Sequence, residues 1–464
     1  MAELFGQLSQ LLSTLGASIM VPVMLFIIAK ILGAENKKSF QAALLCGAGL
    51  TGFNLVIKSY SSIITPVIKQ MVENAGVNLP ILDTGWQATA IIAYSTNIGL
   101  IFFGLAILLQ IILFLVKWTD VFMAADLWNN YSFMCWGSML YLLTDNVWLA
   151  LLLMIVQNLY TLLFCEIGAK RWSTYYHYPM CALSAAHHMD TLPIAIIMNL
   201  ILNKLGFNKI QINAESLQKK FGIFGDPMFI GLFIGSLFAM IGNYNQLNKL
   251  SSWGVIATSG VSTAAVMAVF PKVAGIFASA FTILTETVRK KAKTNGAIKN
   301  REWYLGANAA LGYGETNTLV TGILLIPIMI IIAFILPGNK ALPMIDLISI
   351  PYMVEMFIAM SNGNIAKSIV TGAIWFSIGL LTVSNVAPYF TQVAAQVNPD
   401  LVQGGIMIFS FAVLAHPLMA LPFLGFLTQN PVIIGSIIIL YFIMYFIVKK
   451  YKVSIVDFIE NMAK

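Results

Sequence analysis

Long stretches of this chain carry almost no charge, and that restricts its solvent more than any motif does. Leu11–Leu32, Ile91–Val116, Trp148–Phe164, Val320–Leu336, Gly404–Leu427 and Val432–Val448 are continuous apolar runs. Each approaches or exceeds the roughly 17–25 residues that an α-helix needs to span the hydrocarbon layer. Only 10% of the residues are Asp, Glu, Lys or Arg, and 59% are hydrophobic. Soluble domains carry about 25% charged residues, so a soluble fold of this length would have too few ions to cover its surface. The residue period of a membrane β-barrel is absent, and the long runs exclude one. The sequence predicts an all-α, polytopic integral membrane protein with about ten to twelve spans, some of them re-entrant. The N-terminal segment has Glu3 and no basic region, so the first apolar run is expected to stay as a helix.

The basic residues give an orientation. Lys30, Lys37 and Lys38 follow the first span, and Lys170 and Arg171 follow another. Arg289, Lys290, Lys291, Lys293, Lys299 and Arg301 make the densest basic loop, and Lys449, Lys450 and Lys452 close the last span. The positive-inside rule places all of these in the cytoplasm, which puts the N-terminus outside and the C-terminus inside. The basic groups flank helices and line no soluble face, so no nucleic-acid partner is expected.

The chain divides almost in half at a polar linker, and its halves look alike. LGASIMVPVMLFIIAKILG (15–33) and FGDPMFIGLFIGSLFAMIG (224–242) each carry a Gly, a Pro, an apolar span and a terminal Gly. Each is followed by a small-residue helix and then by a polar, glycine-bearing segment: DTGWQATAIIAYSTN (83–97) and NAALGYGETNT (308–318). We read an inverted internal repeat, as in many transporters. Its parts are 1–207, a cytosolic amphipathic linker over 208–225, a second repeat over 226–427, and a last transmembrane helix with a short basic tail over 428–464.

Soluble-enzyme motifs are missing: there is no P-loop, dinucleotide fingerprint, HExxH or GxSxG. The chemistry must lie with polar groups at membrane depth, which are costly there and usually face a cavity. Asp83, Trp86 and Gln87 form one candidate cluster, able to hydrogen-bond a polyhydroxylated ligand and cover its C–H face; the competing reading is a capped helix with an interfacial Trp. Asn308, Glu315 and Asn317, among glycines that let the backbone turn inside a protein, form a second. Asn129 and Asn130 lie between tryptophans and read equally as a helix cap or as ligand contacts. His187 and His188 precede Asp190, but consecutive histidines point apart on a helix, so no metal is expected. The four cysteines lie in or beside apolar segments and read as small core residues. Lys58 reads as a buried partner or a snorkelling side chain, and His416–Pro417 as a break.

The order of elements resembles that of the galactitol-type membrane subunit (enzyme IIC) of the bacterial phosphoenolpyruvate-dependent phosphotransferase system, in the ascorbate–galactitol superfamily. The matching stretches are AKILGAENKKSFQAALLCGAGLTGFNLVI (29–57), VNLPILDTGWQA (77–88), LWNNYSFMCWG (127–137), NKIQINAESLQKKFGIFGDP (208–227) and IPIMIIIAFILPGNKALPMIDL (326–347). The last two are the most specific. The resemblance implies a homodimer in the bacterial cytoplasmic membrane, with a dimerising domain and a substrate-carrying core that moves like an elevator. It implies a sugar or polyol substrate, phosphorylated by a phosphocysteine on a separate IIB protein that a IIA protein charges. No cofactor, and no phosphoryl-carrying or catalytic residue, is then expected on this chain. Carried onto matching positions, the substrate cavity falls on Asp83–Trp86, Trp128–Asn130, Ser184–His188 and the hairpin at Asn308. The chain departs from the galactitol pattern in two places. Ser184-Ala185-Ala186 stands for a Pro-His-Gly triplet, and Asn308 stands for an aspartate, so the hydrogen bonds around the sugar differ. An ion-coupled secondary transporter, with Glu315, Glu355 or Asp83 binding the coupling proton, is the competing class.

Overall fold

The computed structural model describes residues 17–31, 34–75, 79–123, 127–209, 211–292, 302–307, 309–399, 401–402 and 407–463. The chain is predominantly helical, as the apolar runs predict. Among the described residues, six helices are long and apolar enough to cross a membrane: Asn97–Leu115, Val147–Tyr175, Leu250–Val269 (within Leu250–Ala292), Thr316–Ile335, Ile365–Val397 and Pro431–Ala463. The count covers the described residues only, and two of the apolar runs do not form one helix each. Ile91–Val116 is broken at Thr96, where the backbone turns extended between helices Trp86–Ser95 and Asn97–Leu115. Gly404–Leu427 contains a strand and two helices, Phe411–Leu414 and Pro417–Leu427. The apolar helices Pro227–Gly242 and Pro417–Leu427 are shorter than the six.

Other interruptions are short strands that hydropathy does not signal. These are β1 (Ile81–Asp83), β2 (Val121–Met123), β3 (Cys181–Leu183), β4 (Tyr304–Ala307), β5 (Ala341–Leu342) and β6 (Met407–Phe409). They form two parallel three-stranded sheets, in the orders β5-β1-β6 and β2-β4-β3. In each sheet the central strand comes from the opposite half of the chain to its neighbours. Ile81 pairs with Ala341 on one side and Met407 on the other, and Leu305 pairs with Phe122 and Cys181. Non-helical backbone at membrane depth is tolerated only where its polar groups are satisfied within the protein, and these ladders satisfy them. After β1, β3, β4 and β6 the chain enters a helix: Trp86–Ser95, Ala186–Met189, Ala310–Tyr313 and Phe411–Leu414 respectively.

Helices Ala17–Ile31, Asn36–Ala75, Pro227–Gly242 and Leu250–Ala292 pack chiefly on one another. Their contact depends on small residues. A Cβ on Gly235 would lie 2.3 Å from Thr263 Oγ1 and 2.5 Å from the Ser259 carbonyl, so only glycine lets the two backbones approach. Tyr60 hydrogen-bonds Thr263 across the same body at 3.2 Å. Lys58 is exposed on Asn36–Ala75. The linker is docked on the rest of the chain. Helix Ala214–Phe221 begins in an Asn213/Ser216 capping box, Ala214 N–H donates to Asn317 Oδ1 at 2.7 Å, and Ile365 N–H donates to the Ile212 carbonyl at 2.7 Å.

The final helix, Pro431–Ala463, runs alongside Val147–Tyr175 in the same direction. Tyr160 donates to the Ile437 carbonyl, Lys449 and Lys452 both reach Glu166 at 2.7 Å, and Arg171 pairs with Glu460 at 3.2 Å. Lys367, at the start of Ile365–Val397, donates to Asn199 and Asn203, whose amides donate to the Met462 carbonyl. Arg171, Lys367 and Glu460 therefore mark one end of the bundle, and Val147, Val397 and Pro431 the other. Ile439, Leu440, Ile443, Phe446 and Ile447 leave the last helix with an exposed aliphatic and aromatic face, the surface a lipid-facing helix presents.

Candidate functional site

The residues following the strands bring four of the chain's hairpins together, and two buried carboxylates fasten one sheet's ends. Asp83, the last residue of β1, has both oxygens occupied by main-chain donors. Oδ1 accepts from Gly85 N–H at 3.0 Å and Phe411 N–H at 3.2 Å, and Oδ2 from Met344 N–H at 3.1 Å and Asp346 N–H at 2.8 Å. Asp346 completes the arrangement. Its Oδ1 accepts from Trp86 N–H at 2.9 Å, and its Oδ2 from Ser410 Oγ at 2.6 Å and Ala412 N–H at 3.0 Å. No cation pairs with either carboxylate among the described residues; directed N–H groups replace it, as they do for bound anions elsewhere. Sequence reading passed over Asp346 and Ser410, since their partners lie far away in the chain.

At the other sheet the substituents are neutral. Ser184 Oγ donates to Asn129 Oδ1 at 3.0 Å and lies 3.2 Å from the Ala307 carbonyl, tying the end of β3 to the end of β4. Asn129 and Asn130 are completely buried on helix Leu127–Thr144. His187 and His188 occupy the short buried helix Ala186–Met189, with ring centroids 4.1 Å apart. The predicted divergence of consecutive histidines is therefore modest. Tyr131 meets His187 edge to face at 5.2 Å, and Tyr352 lies 6.2 Å from His188 and 4.0 Å from Tyr313. The Nδ1 atoms of His187 and His188 have no hydrogen-bond partner among the described residues.

His416 is the third imidazole of this cluster, 6.3 Å from His187. It caps helix Pro417–Leu427, the break expected there, but also does something the sequence did not reveal. Its Nδ1 lies 2.8 Å from Asp190 Oδ1 and its Nε2 lies 2.9 Å from the Ala412 carbonyl, with both side chains wholly buried. The pair joins the turn after His187–His188 to the segment after β6. Glu355 stands on the far side of the tyrosines. Trp172 Nε1–H donates to its Oε2 at 2.9 Å, its Oε1 is unpartnered, and a Cβ on Gly312 would come within 2.3 Å of Oε2. A side chain at 312 would have to displace the Glu355 carboxylate.

The remaining sequence candidates fall as follows. Trp86 is half-buried against the core, and its backbone begins a hairpin helix. Gln87 lies on the same helix with its side chain outside the described set, and Asn308 lies outside the described residues altogether. Glu315 caps helix Thr316–Ile335: Oε2 accepts from Thr318 N–H at 2.9 Å and Thr318 Oγ1 at 2.8 Å, while Oε1 accepts from Asn317 at 2.8 Å. Asn317 also donates to Tyr175 at 2.9 Å and receives the linker's Ala214 N–H. These two residues bind their own hairpin and the linker, away from the histidine cluster. The four cysteines are buried and unbridged.

Two comparisons bear on what such a site serves. A family model described as "PTS system sugar-specific permease component" matches residues 10–404. The galactitol-specific EIIC component of the PTS system of Escherichia coli (strain K12) is 28% identical over 438 residues, 94% of each chain, and its counterpart in Escherichia coli O157:H7 matches equally. A putative permease IIC component of Escherichia coli (strain K12) is 28% identical over 382 residues, 82% of this chain and 85% of its own length. The family match spans most of the helices, both sheets' central strands and the buried Asn129, Asn130, His187 and His188, and on that ground the chain belongs to the sugar-specific permease components of the phosphotransferase system.

Proposed function

We propose that this chain is the IIC subunit that binds a galactitol-like polyol in the bacterial cytoplasmic membrane and carries it to a separate IIB protein for phosphorylation. The observation that carries the reading is the packing of His187 and His188 against Tyr131 and Tyr352, with Tyr313 against Tyr352. Asn129 meets Ser184 just before the histidines, and Asn130 is buried beside it. Amides and imidazoles can exchange hydrogen bonds with hydroxyl groups, and aromatic rings can cover C–H faces. Asp83 has its lone pairs taken by the main chain, and its role in this reading is to position Trp86 and the segments bearing Asp346 and Phe411.

By the family resemblance, the phosphoryl donor is a phosphocysteine on IIB, recharged by IIA, and the buried cysteines of this chain fit that division of labour. The interleaved strands support two inverted repeats, 1–207 and 226–427, joined by the linker 208–225. The self-packed helices of residues 17–75 and 227–292 serve as the dimerising scaffold, and the hairpins with their flanking helices as the elevator core. The bundle end bearing Arg171 and Lys367 faces the cytoplasm, as does the C-terminus, and the N-terminus lies outside.

Binding by the purified protein tests the site. Titration with galactitol, mannitol, sorbitol and xylitol should give saturable binding of at least one. Asn129→Ala and His188→Ala should each weaken it by about tenfold or more, roughly 1.4 kcal/mol, with the melting temperature lowered by only a few degrees. No binding of any alditol, or unchanged binding in both variants, would remove the support for this site.

A further inference from the structure

A cleft separate from the histidine cluster opens at the bundle end opposite Arg171 and Lys367. It is about 380 Å³ and is lined by Thr96, Asn97, Tyr141, Val147, Gln396 and Val397, with aliphatic side chains completing the wall. Its position follows from the helix ends. Val147 begins the helix that reaches Arg171, and Val397 ends the helix that Lys367 begins. The lining offers two amides, a phenol and a hydroxyl but no charged group. Such a wall suits a neutral polyhydroxylated solute and gives an ion nothing to pair with. The volume is at the small end of the range for ligand pockets, the size for one small molecule.

The floor of the cleft is made by the break in the first hairpin. Thr96 is extended and caps helix Asn97–Leu115, and its hydroxyl hydrogen-bonds Ser138 on helix Leu127–Thr144. That second helix also carries Tyr141 in the cleft and Asn130 in the buried cluster. At 1.5 Å per residue, the two lie about 16 Å apart along the helix. We infer that this cleft is the extracytoplasmic docking site for the polyol, with the Thr96–Ser138 pair as the barrier between it and the buried site. The inference rests on the function proposed above for the substrate class and the sidedness.

Single cysteines test it in the full-length carrier, whose native thiols are all buried and give little background. Asn97→Cys and Gln396→Cys report on the cleft. Thr428→Cys, exposed near the same bundle end, and Lys204→Cys, exposed at the other, serve as sidedness controls. A membrane-impermeant quaternary-ammonium methanethiosulfonate, added to right-side-out vesicles, should modify the cysteines at 97, 396 and 428 at once. It should reach the cysteine at 204 only after permeabilisation. Saturating alditol (galactitol, mannitol, sorbitol or xylitol) should slow modification at 97 at least threefold and leave 428 unchanged, and modification at 97 should lower alditol uptake at least fivefold.

Modification of 97 only from the inside would overturn the inference. So would modification that no alditol slows and that leaves uptake unchanged. These outcomes separate from failure of the IIC reading. Protection at 97 with no phosphorylated product retains the cleft and rejects the IIC function, whereas phosphorylated product with no protection does the reverse.

Discussion

Replacing Asp83 by alanine is expected to cost folded protein before it costs substrate affinity. The carboxylate accepts the N–H groups of Gly85, Phe411, Met344 and Asp346, which come from three separate segments of the chain. Truncation leaves all of them buried with nothing to accept them. An unsatisfied buried donor costs about 1–3 kcal/mol, and even strongly non-additive losses should sum to at least about 3 kcal/mol. Asp346 then loses one of its own contacts, so the fault spreads to Trp86, Ser410 and Ala412. Asp83→Asn should fall between alanine and the native residue, since it keeps one acceptor oxygen but turns an amide donor toward N–H groups. Thermal unfolding in detergent, followed by size-exclusion fluorescence, checks the order native, Asn, Ala. If the alanine variant melted normally and lost only alditol binding, Asp83 would be a ligand contact, with no essential part in joining the hairpins.

The second large effect concerns Asp190 and His416. Both ring nitrogens of His416 face oxygen atoms, Asp190 Oδ1 at 2.8 Å and the Ala412 carbonyl at 2.9 Å. Either the ring is an imidazolium beside a carboxylate, or one proton resides on Asp190 and the ring is neutral. In both cases the pair is neutral overall and each partner requires the other. Removing one member of a buried pair typically costs about 3–5 kcal/mol, because the other is left uncompensated. Asp190→Ala and His416→Ala should therefore each be strongly destabilising. The double variant should be less damaged than the sum of the two, with a coupling of more than about 1 kcal/mol. Asp190→Asn should recover most of the loss, because its amide can donate to the neutral ring. Additive single effects in a double-mutant cycle would show that the two side chains do not act as a pair.

These residues also mark where sequence reading stops. The apolar runs Trp148–Phe164, Val320–Leu336 and Val432–Val448 fall on helices Val147–Tyr175, Thr316–Ile335 and Pro431–Ala463, because the part of a helix that spans hydrocarbon must be apolar. The first and last helices continue beyond the runs into polar sequence. Hydropathy could not locate the interruption at Thr96 or the strand Met407–Phe409. Apolar composition is the same whether the main chain bonds within a helix or to a strand elsewhere. The strands are two to four residues long and pair across the two halves, so no local period betrays them. Asp346 sits in the apolar stretch LPMIDL, and its purpose is visible only beside Asp83 and Ser410. His416 was read locally, as a break, while its partner Asp190 is 226 residues away. Glu315 shows the opposite case. It reads from the sequence as a ligand or proton-coupling residue, although its contacts with Thr318, three residues on, are local. Asn129, Asn130, His187 and His188 stand out in the sequence as polar groups in apolar runs, and all four are buried. Tyr131 and Tyr352 beside them do not, since aromatic residues are ordinary in such runs.

On the function proposed above, transport by this chain is inseparable from phosphorylation on another. Membrane vesicles containing the chain, supplied with its IIA and IIB partners and the general phosphotransferase proteins, can be given radiolabelled alditols with and without phosphoenolpyruvate. The account predicts that one alditol, galactitol or a close relative, is taken up only when phosphoenolpyruvate is present and is recovered as its phosphate ester. Accumulation of the unmodified alditol without phosphoenolpyruvate, driven by an imposed proton or sodium gradient, would contradict it.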